Sequence, residues 1–203
     1  VQGEGGVVPA DPAFIAGLRA LCDEKKLLLL FDEVQCGIGR TGNWFGFQHY
    51  GVRPDGLSMA KALGGGFPIG AAAVSPELSN VFQPGNHAST FGGTPLASAA
   101  ALAVLDTIEK EGLLDNAAKM GALFMDGLRD LARKHPCIQT VRGLGLMIGV
   151  VLSVPAKPVE ARLRENGLLC IATGDHVLRF VPPLVVTPGH IRQALDILDR
   201  SLD

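Results

Sequence analysis

Two side chains in the first third of the chain have the types and the setting to do chemistry together. Asp32 ends the apolar run Leu27-Leu28-Leu29-Leu30-Phe31, and Lys61 ends a second short run, Leu57-Ser58-Met59-Ala60, just before Gly64-Gly65-Gly66. A lone lysine at a strand end reads by default as a solvated surface charge. Here it has an acid upstream and a glycine run that leaves room beside it. That combination suits an amine that condenses with an aldehyde cofactor, with the acid facing the cofactor's ring nitrogen. Pyridoxal phosphate (PLP) chemistry asks a protein for that pair. A carboxylate beside the pyridine nitrogen favours its protonated form, because an opposite charge in a partly desolvated site stabilises the charged state. The competing reading of Asp32 is structural, a cap on the turn that follows.

These two residues require elements that bring two strand ends together. Leu27–Phe31 is too short for a helix and reads as a strand buried on both faces, as in a parallel sheet. Ligand sites of open α/β sheets lie at the C-terminal ends of such strands. Asp11-Pro12 is a helix start, an N-cap followed by proline at the first position. Phe14, Ile15, Leu18, Leu21 and Cys22 should then form its buried face. Ile69 to Val74 reads as another buried strand. Thr94-Pro95 starts an alanine-rich helix to Lys110, Gly112 breaks it, and a second long helix is expected from Asp115 to Lys134.

Beyond His135-Pro136 the pattern changes. Ile138 to Leu152 alternates and carries Gly143, Gly145 and Gly149, as expected of a bent strand pair. Val159 to Asn166 reads as a short helix capped by Gly167. Leu168–Ala172 and Val177–Val181 read as strands, and Thr187-Pro188 opens a last helix with a stripe of Ile191, Leu195, Leu198 and Leu202. The expected fold is α/β. A partial large domain (residues 1–110, a mainly parallel sheet with helices) precedes a small α+β C-terminal domain (111–203).

Composition narrows the function classes. The chain has 203 residues, 47% of them hydrophobic and 19% charged, with a net charge of −2. That balance offers no basic field for nucleic acid or an anionic membrane. No apolar run reaches the roughly 18 residues of a membrane span, and no signal peptide is apparent. The four cysteines and five histidines are scattered without metal-ligand spacing, so no metal site is expected. The reading is of reduced thiols in a cytoplasmic protein.

Two further motifs need weighing. Gly37-Ile38-Gly39-Arg40-Thr41-Gly42 matches G-x-G-x-x-G after a strand, the pattern of a dinucleotide site. The following Asn43-Trp44-Phe45-Gly46 does not open the amphipathic helix that would receive a pyrophosphate, so that reading is set aside. Arg179 lies among apolar neighbours in Val177-Leu178-Arg179-Phe180-Val181. A buried guanidinium needs an anionic partner, and its planar fork suits a carboxylate. A ligand carboxylate and a structural salt bridge both satisfy that need. Arg142 and His176 read as structural.

Asp32-Glu33-Val34-Gln35-Cys36-Gly37-Ile38-Gly39-Arg40-Thr41-Gly42 resembles the cofactor-strand signature of class III (subgroup II) aminotransferases. Ala60-Lys61-Ala62-Leu63-Gly64-Gly65-Gly66-Phe67-Pro68-Ile69-Gly70 resembles their lysine motif. Phe47-Gln48-His49-Tyr50-Gly51-Val52 is most similar to the branch that uses N-acetylornithine. The resemblance runs from Val1 to about Thr187 and implies fold type I of the PLP-dependent enzymes. It implies that Lys61 is catalytic and binds PLP with Asp32, that Val34 packs on the ring, and that Gln35 meets the phenolic oxygen. Glu33 is left open, with a structural role in view. In such enzymes the loop Ser89-Thr90-Phe91-Gly92-Gly93 crosses a homodimer interface to the phosphate of the neighbouring subunit's PLP. Departures at Ala88 and Thr94, where glycine and asparagine are usual, bear on the geometry of that loop.

The resemblance also makes Arg179 the grip on a substrate or 2-oxoglutarate carboxylate, with Glu4 as its counter-ion between half-reactions. The implied reaction is transamination of N-acetylornithine with 2-oxoglutarate, in arginine biosynthesis. Ornithine, succinylornithine and 4-aminobutyrate are alternative donors, and a fragment that folds without catalysing is a further alternative. Val1-Gln2-Gly3-Glu4-Gly5-Gly6 resembles an internal family motif, so the chain is expected to be the C-terminal half of the fold.

Overall fold

The computed structural model describes residues 1–202. Contacts divide the chain into two compact units that do not follow chain order. One comprises Asp11–Gly39 and Asn43–Gly112, and the other Val1–Ala10, Arg40–Gly42 and Leu113–Asp203. The last change of unit falls at Gly112/Leu113, beside the expected 110/111, and Val1–Ala10 and Arg40–Gly42 group with the C-terminal segment. The first ten residues belong with the C-terminal segment because their backbone is bonded to side chains of its sheet.

In the first unit, α1 (Pro12–Lys25) starts as expected, with the Asp11 carboxylate accepting from Ala13 N at 2.7 Å. Its left-handed C-cap, Lys26, leads into β1 (Leu30–Asp32), which pairs in parallel with β2 (Gly56–Met59). β2 then pairs antiparallel with β3 (Ala71–Val74). The sheet is therefore mixed rather than mainly parallel, because no crossover helix separates β2 from β3. Asp55 ties the strands together. Its carboxylate accepts from Leu29 N and from Arg19, its N–H donates to Leu29 O, and its carbonyl accepts from Ser75 N.

The expectation of a strand buried on both faces fails. Leu29 is buried, but Leu27, Leu28 and Leu30 are 55%, 56% and 62% exposed. β3 is exposed along its length, and Phe14 and Leu21 on α1 also face outward. The physical reason is that β1 has a strand on one side only, and no second layer within the unit covers these apolar groups. α2 (Pro95–Lys110) buries Ala97, Ala101 and Ile108 and packs against the 3₁₀ turn Lys61–Gly64.

The second unit is a helix-backed antiparallel sheet. α3 (Leu113–Lys134) begins two residues earlier than expected, directly after Gly112. β4 (Ile138–Leu144) and β5 (Met147–Leu152) form the bent pair. α4 (Ala156–Glu165) starts three residues before the expected Val159, since Pro158 is tolerated in a helix's first turn. It ends with Leu168 N bonded to Leu163 O and Gly167 N to Arg164 O, the paired closure that a residue like Gly167 permits. β6 (Ile171–Thr173) and β7 (Val177–Phe180) complete a sheet of order β4-β5-β7-β6, and α5 (Pro188–Leu202) follows.

One sheet face buries Ile148, Val150, Leu178 and Phe180 against Phe124 and Leu128 of α3 and Ile191 and Leu198 of α5. Phe124 and Phe180 meet edge to face at 5.4 Å. Antiparallel neighbours directly opposite each other share a face, so the residues between these core positions point to the other side. Arg142, Gly149 and Arg179 form one such row across β4, β5 and β7. No helix among the described residues is long and apolar enough to cross a membrane.

Candidate functional site

Asp32 and Lys61 leave the same end of adjacent parallel strands, as the spacing implies. Asp32 pairs with Ser58 in the β1–β2 register, and Lys61 follows two residues after β2 ends. Asp32 Oδ1 accepts from Val34 N at 2.9 Å, which orients the carboxylate and leaves Oδ2 without a donor among the described residues. The Lys61 amine is exposed and has no ion-pair or hydrogen-bond partner among them. Its backbone has φ 46°, in the left-handed region, at the start of the 3₁₀ turn. The turn is closed by Gly65, whose φ is 59° and where an added Cβ would come within 2.8 Å of Val104 on α2. The glycine therefore allows the helix to press on the turn that carries the lysine.

An exposed amine and an oriented carboxylate oxygen, both unpaired at one strand-end edge, match what PLP asks at its aldehyde and its ring nitrogen. Val34 and Gln35 are half-buried in the turn that follows Asp32. Glu33 has a different place. It is 3% exposed, and its two oxygens accept from Gly46 N and Phe47 N at 2.8 Å each. Its carboxylate pins the loop after the glycine motif, which supplies the role that sequence alone leaves open. That loop forms the 3₁₀ turn Gly46–Tyr50, not the long helix a dinucleotide site needs. Cys36 beside it is buried, and burial pushes its thiol upward.

Ser89 and Thr90 lie on an exposed loop before α2. Ser89 lines a cavity with Pro68, Ile69, Gly70 and Phe91, and neither Lys61 nor Asp32 lines it.

The second unit joins Glu4 and Arg179. Arg179 Nη1 donates to Glu4 Oε1 at 2.6 Å. The pair is lopsided, with the arginine side chain 8% exposed and the glutamate 73%. Arg179 Nε is buried without a partner. Arg142, which sequence reading leaves as structural, donates from Nε and Nη2 to Gly6 O at 3.1 and 2.8 Å. Thr173 Oγ1 donates to Glu4 O at 2.7 Å. No local motif marks these two contacts, since more than 130 residues separate their partners.

Comparisons with known proteins bear on the family of the chain. The family description "Aminotransferase class-III" matches residues 1–202. The chain is 50% identical over 203 residues to an acetylornithine aminotransferase of Caldanaerobacter subterraneus, covering all of this chain and 51% of that protein. It is 53% identical over 201 residues to one of Gloeobacter violaceus, covering 98% and 50%. The chain thus spans about half the length of the curated relatives it matches. Among solved structures, ornithine delta-aminotransferase of Plasmodium falciparum superposes with a TM-score of 0.94 at 35% identity, covering 100% of this chain and 54% of that one. Acetylornithine aminotransferase of Elizabethkingia anophelis superposes with a TM-score of 0.89 at 36% identity, covering 95% and 52%. The lysine and acid at neighbouring strand ends, the mixed helix-and-sheet fold and a family match over nearly the whole chain lead to one conclusion: this chain belongs to the class-III aminotransferases, enzymes that depend on pyridoxal phosphate.

Proposed function

We propose that this chain carries the cofactor lysine, the ring-nitrogen acid and the carboxylate arginine of an enzyme that transaminates N-acetylornithine with 2-oxoglutarate. The carrying observation is the placement of the unpaired Lys61 amine and Asp32 Oδ2 at the ends of β1 and β2. When bound, PLP supplies an electron sink for the carbon that bears the amino group. Lys61 holds the cofactor and then moves the proton at that carbon. Asp32 keeps the ring nitrogen protonated. Val34 packs on the ring and Gln35 donates toward its phenolic oxygen. Arg179 binds the carboxylate common to donor and acceptor, and Glu4 neutralises it in between. Ser89 and Thr90 serve the phosphate of a second copy's cofactor, in a cytoplasmic homodimer with shared sites. Identities of 50% and 53% to curated acetylornithine aminotransferases favour the N-acetyl donor.

The test adds PLP to the chain, follows the absorbance of the bound cofactor and then reduces with borohydride. The cofactor's mass should appear on Lys61 and be absent in Lys61→Ala. Labelling elsewhere would refute the assignment. In a transamination assay with 2-oxoglutarate, N-acetylornithine should outpace ornithine and 4-aminobutyrate as donor. Faster turnover of ornithine would move the reading to the ornithine branch. Mixing Thr90→Ala with Lys61→Ala subunits should restore partial activity, and none despite subunit exchange would refute the shared site.

A further inference from the structure

Glu4 does not reach Arg179 by chance of loop geometry, because two side chains of the sheet bond the backbone of its segment and a glycine of the sheet leaves room for that segment to lie close. The segment Gln2–Val8 is a small hairpin. Gln2 and Val8 exchange backbone bonds at 3.0 and 3.1 Å, and Gly6 N and Val7 N both donate to Gly3 O. This hairpin lies on the sheet face opposite the helices. At β4, Arg142 clamps Gly6 O with two donors. At β6, Thr173 holds the carbonyl of Glu4 itself. Between them, on β5, stands Gly149, where an added Cβ would lie 2.8 Å from Val7 Cβ. Val7 is fully buried and has φ 55°, a conformation a β-branched residue keeps only under constraint. Arg142, Gly149 and Arg179 are the same row of the sheet, so the fastening points and the arginine they serve share a frame.

We infer that Arg142, Gly149 and Thr173 are positioning residues that make Glu4 a captive counter-ion of Arg179, and so set how hard an incoming carboxylate must compete for that arginine. The inference rests on the reading of Arg179 as a carboxylate site. Arg179 is buried and needs an anion at all times, while the Glu4 carboxylate is 73% exposed, so water can solvate it when another anion takes its place. A tethered competitor lowers the apparent affinity of a free ligand by the fraction of time it holds the site. Loosening the tether must therefore tighten the binding of a free carboxylate, the opposite sign to general damage.

The experiment titrates the 203-residue chain with glutarate, a dicarboxylate without the keto group, by calorimetry and by following the Arg179 side-chain Nε–H signal in NMR spectra. Glu4→Gln should lower the Kd for glutarate about tenfold. Arg142→Ala, Thr173→Val and Gly149→Ala should each lower it by roughly three- to tenfold, and Arg142→Lys should fall between Arg142→Ala and wild type. In the Glu4→Gln background none of them should have a further effect, since they act only through Glu4. Weaker binding in Thr173→Val, a near-isosteric change, or an equal effect in both backgrounds would overturn the inference. If Arg179→Lys leaves the Kd unchanged, or glutarate binds no variant, the carboxylate-site reading fails instead. The ligand-free spectrum then decides the positioning role by itself. Arg142→Ala must displace the Arg179 Nε–H signal in the direction that Glu4→Gln does, and an unmoved signal would refute it.

Discussion

Adjacent acids at the end of β1 should separate cleanly when each is replaced by its amide. Glu33 is buried, and each of its oxygens accepts one backbone N–H, from Gly46 and from Phe47. Glu33→Gln keeps the size but turns an –NH₂ toward one of those donors. One charge-assisted bond is lost, the other loses its charge, and one buried N–H is left facing a donor. At about 1.5–3 kcal/mol for a hydrogen bond to a charged group, the loss should be about 2–3 kcal/mol. Asp32→Asn removes a charge from an exposed side chain whose Oδ1 bond to Val34 N can persist, so its cost should stay below about 0.5 kcal/mol. The single tryptophan, Trp44, sits in the loop that Glu33 pins, which makes urea unfolding followed by its fluorescence a local assay. With a slope of about 1.5 kcal/mol per molar urea, Glu33→Gln should lower the midpoint by about 1.5 M, and Asp32→Asn by well under 0.5 M. PLP absorbance should respond in reverse, with Asp32→Asn altering the bound cofactor and Glu33→Gln sparing it below its unfolding transition. A Glu33→Gln shift under about 0.3 M would refute the pinning role. A spectrum altered by Glu33→Gln and not by Asp32→Asn would exchange the two assignments.

Leu178→Ala, at a fully buried position between the sheet and α3, should cost about 3 kcal/mol, read as the loss of thermal stability of the C-terminal unit. His135 Nε2 lies 2.6 Å from Asp199 Oδ1, and with Lys134 it holds that carboxyl below the usual carboxylate range. A depressed carboxyl stabilises the fold above its ordinary value and stops doing so as pH falls through its lowered one. The gap in Tm between wild type and Asp199→Asn should therefore be present at neutral pH and close in acid, and a gap that widens in acid would refute this. Burial, aided by Glu160, pushes the Cys170 thiol up to about 12. At pH 8 it should react with a disulfide reagent on the order of a thousandfold more slowly than an ordinary thiol, and its rate should still be rising at pH 10. Fast labelling at pH 8, located by mass on Cys170, would contradict that environment.

What the linear chain determines here is what lies close together along it. Asp11-Pro12 starts α1 and Gly167 closes α4 because capping is settled within a few residues. Asp32 and Lys61 could be paired in advance because each ends a short apolar run, and parallel neighbours put such ends on the same edge. The exposure of β1 departs from its apolar sequence for a related reason. An apolar run reports the preference of its side chains, whereas burial depends on a covering layer, and this unit leaves Leu27, Leu28 and Leu30 uncovered. Glu33 and Asp32 are neighbours of like chemistry, and only the fold distinguishes them, by aiming two backbone N–H groups at one and leaving an oxygen of the other free. The order β4-β5-β7-β6 likewise belongs to tertiary structure. It sets Arg142, Gly149 and Arg179 in one row and lays a hairpin from the chain's first residues across them, so Glu4 meets an arginine 175 residues away. No local pattern encodes such a contact, because its energy arises only when strands distant in the chain pair side by side.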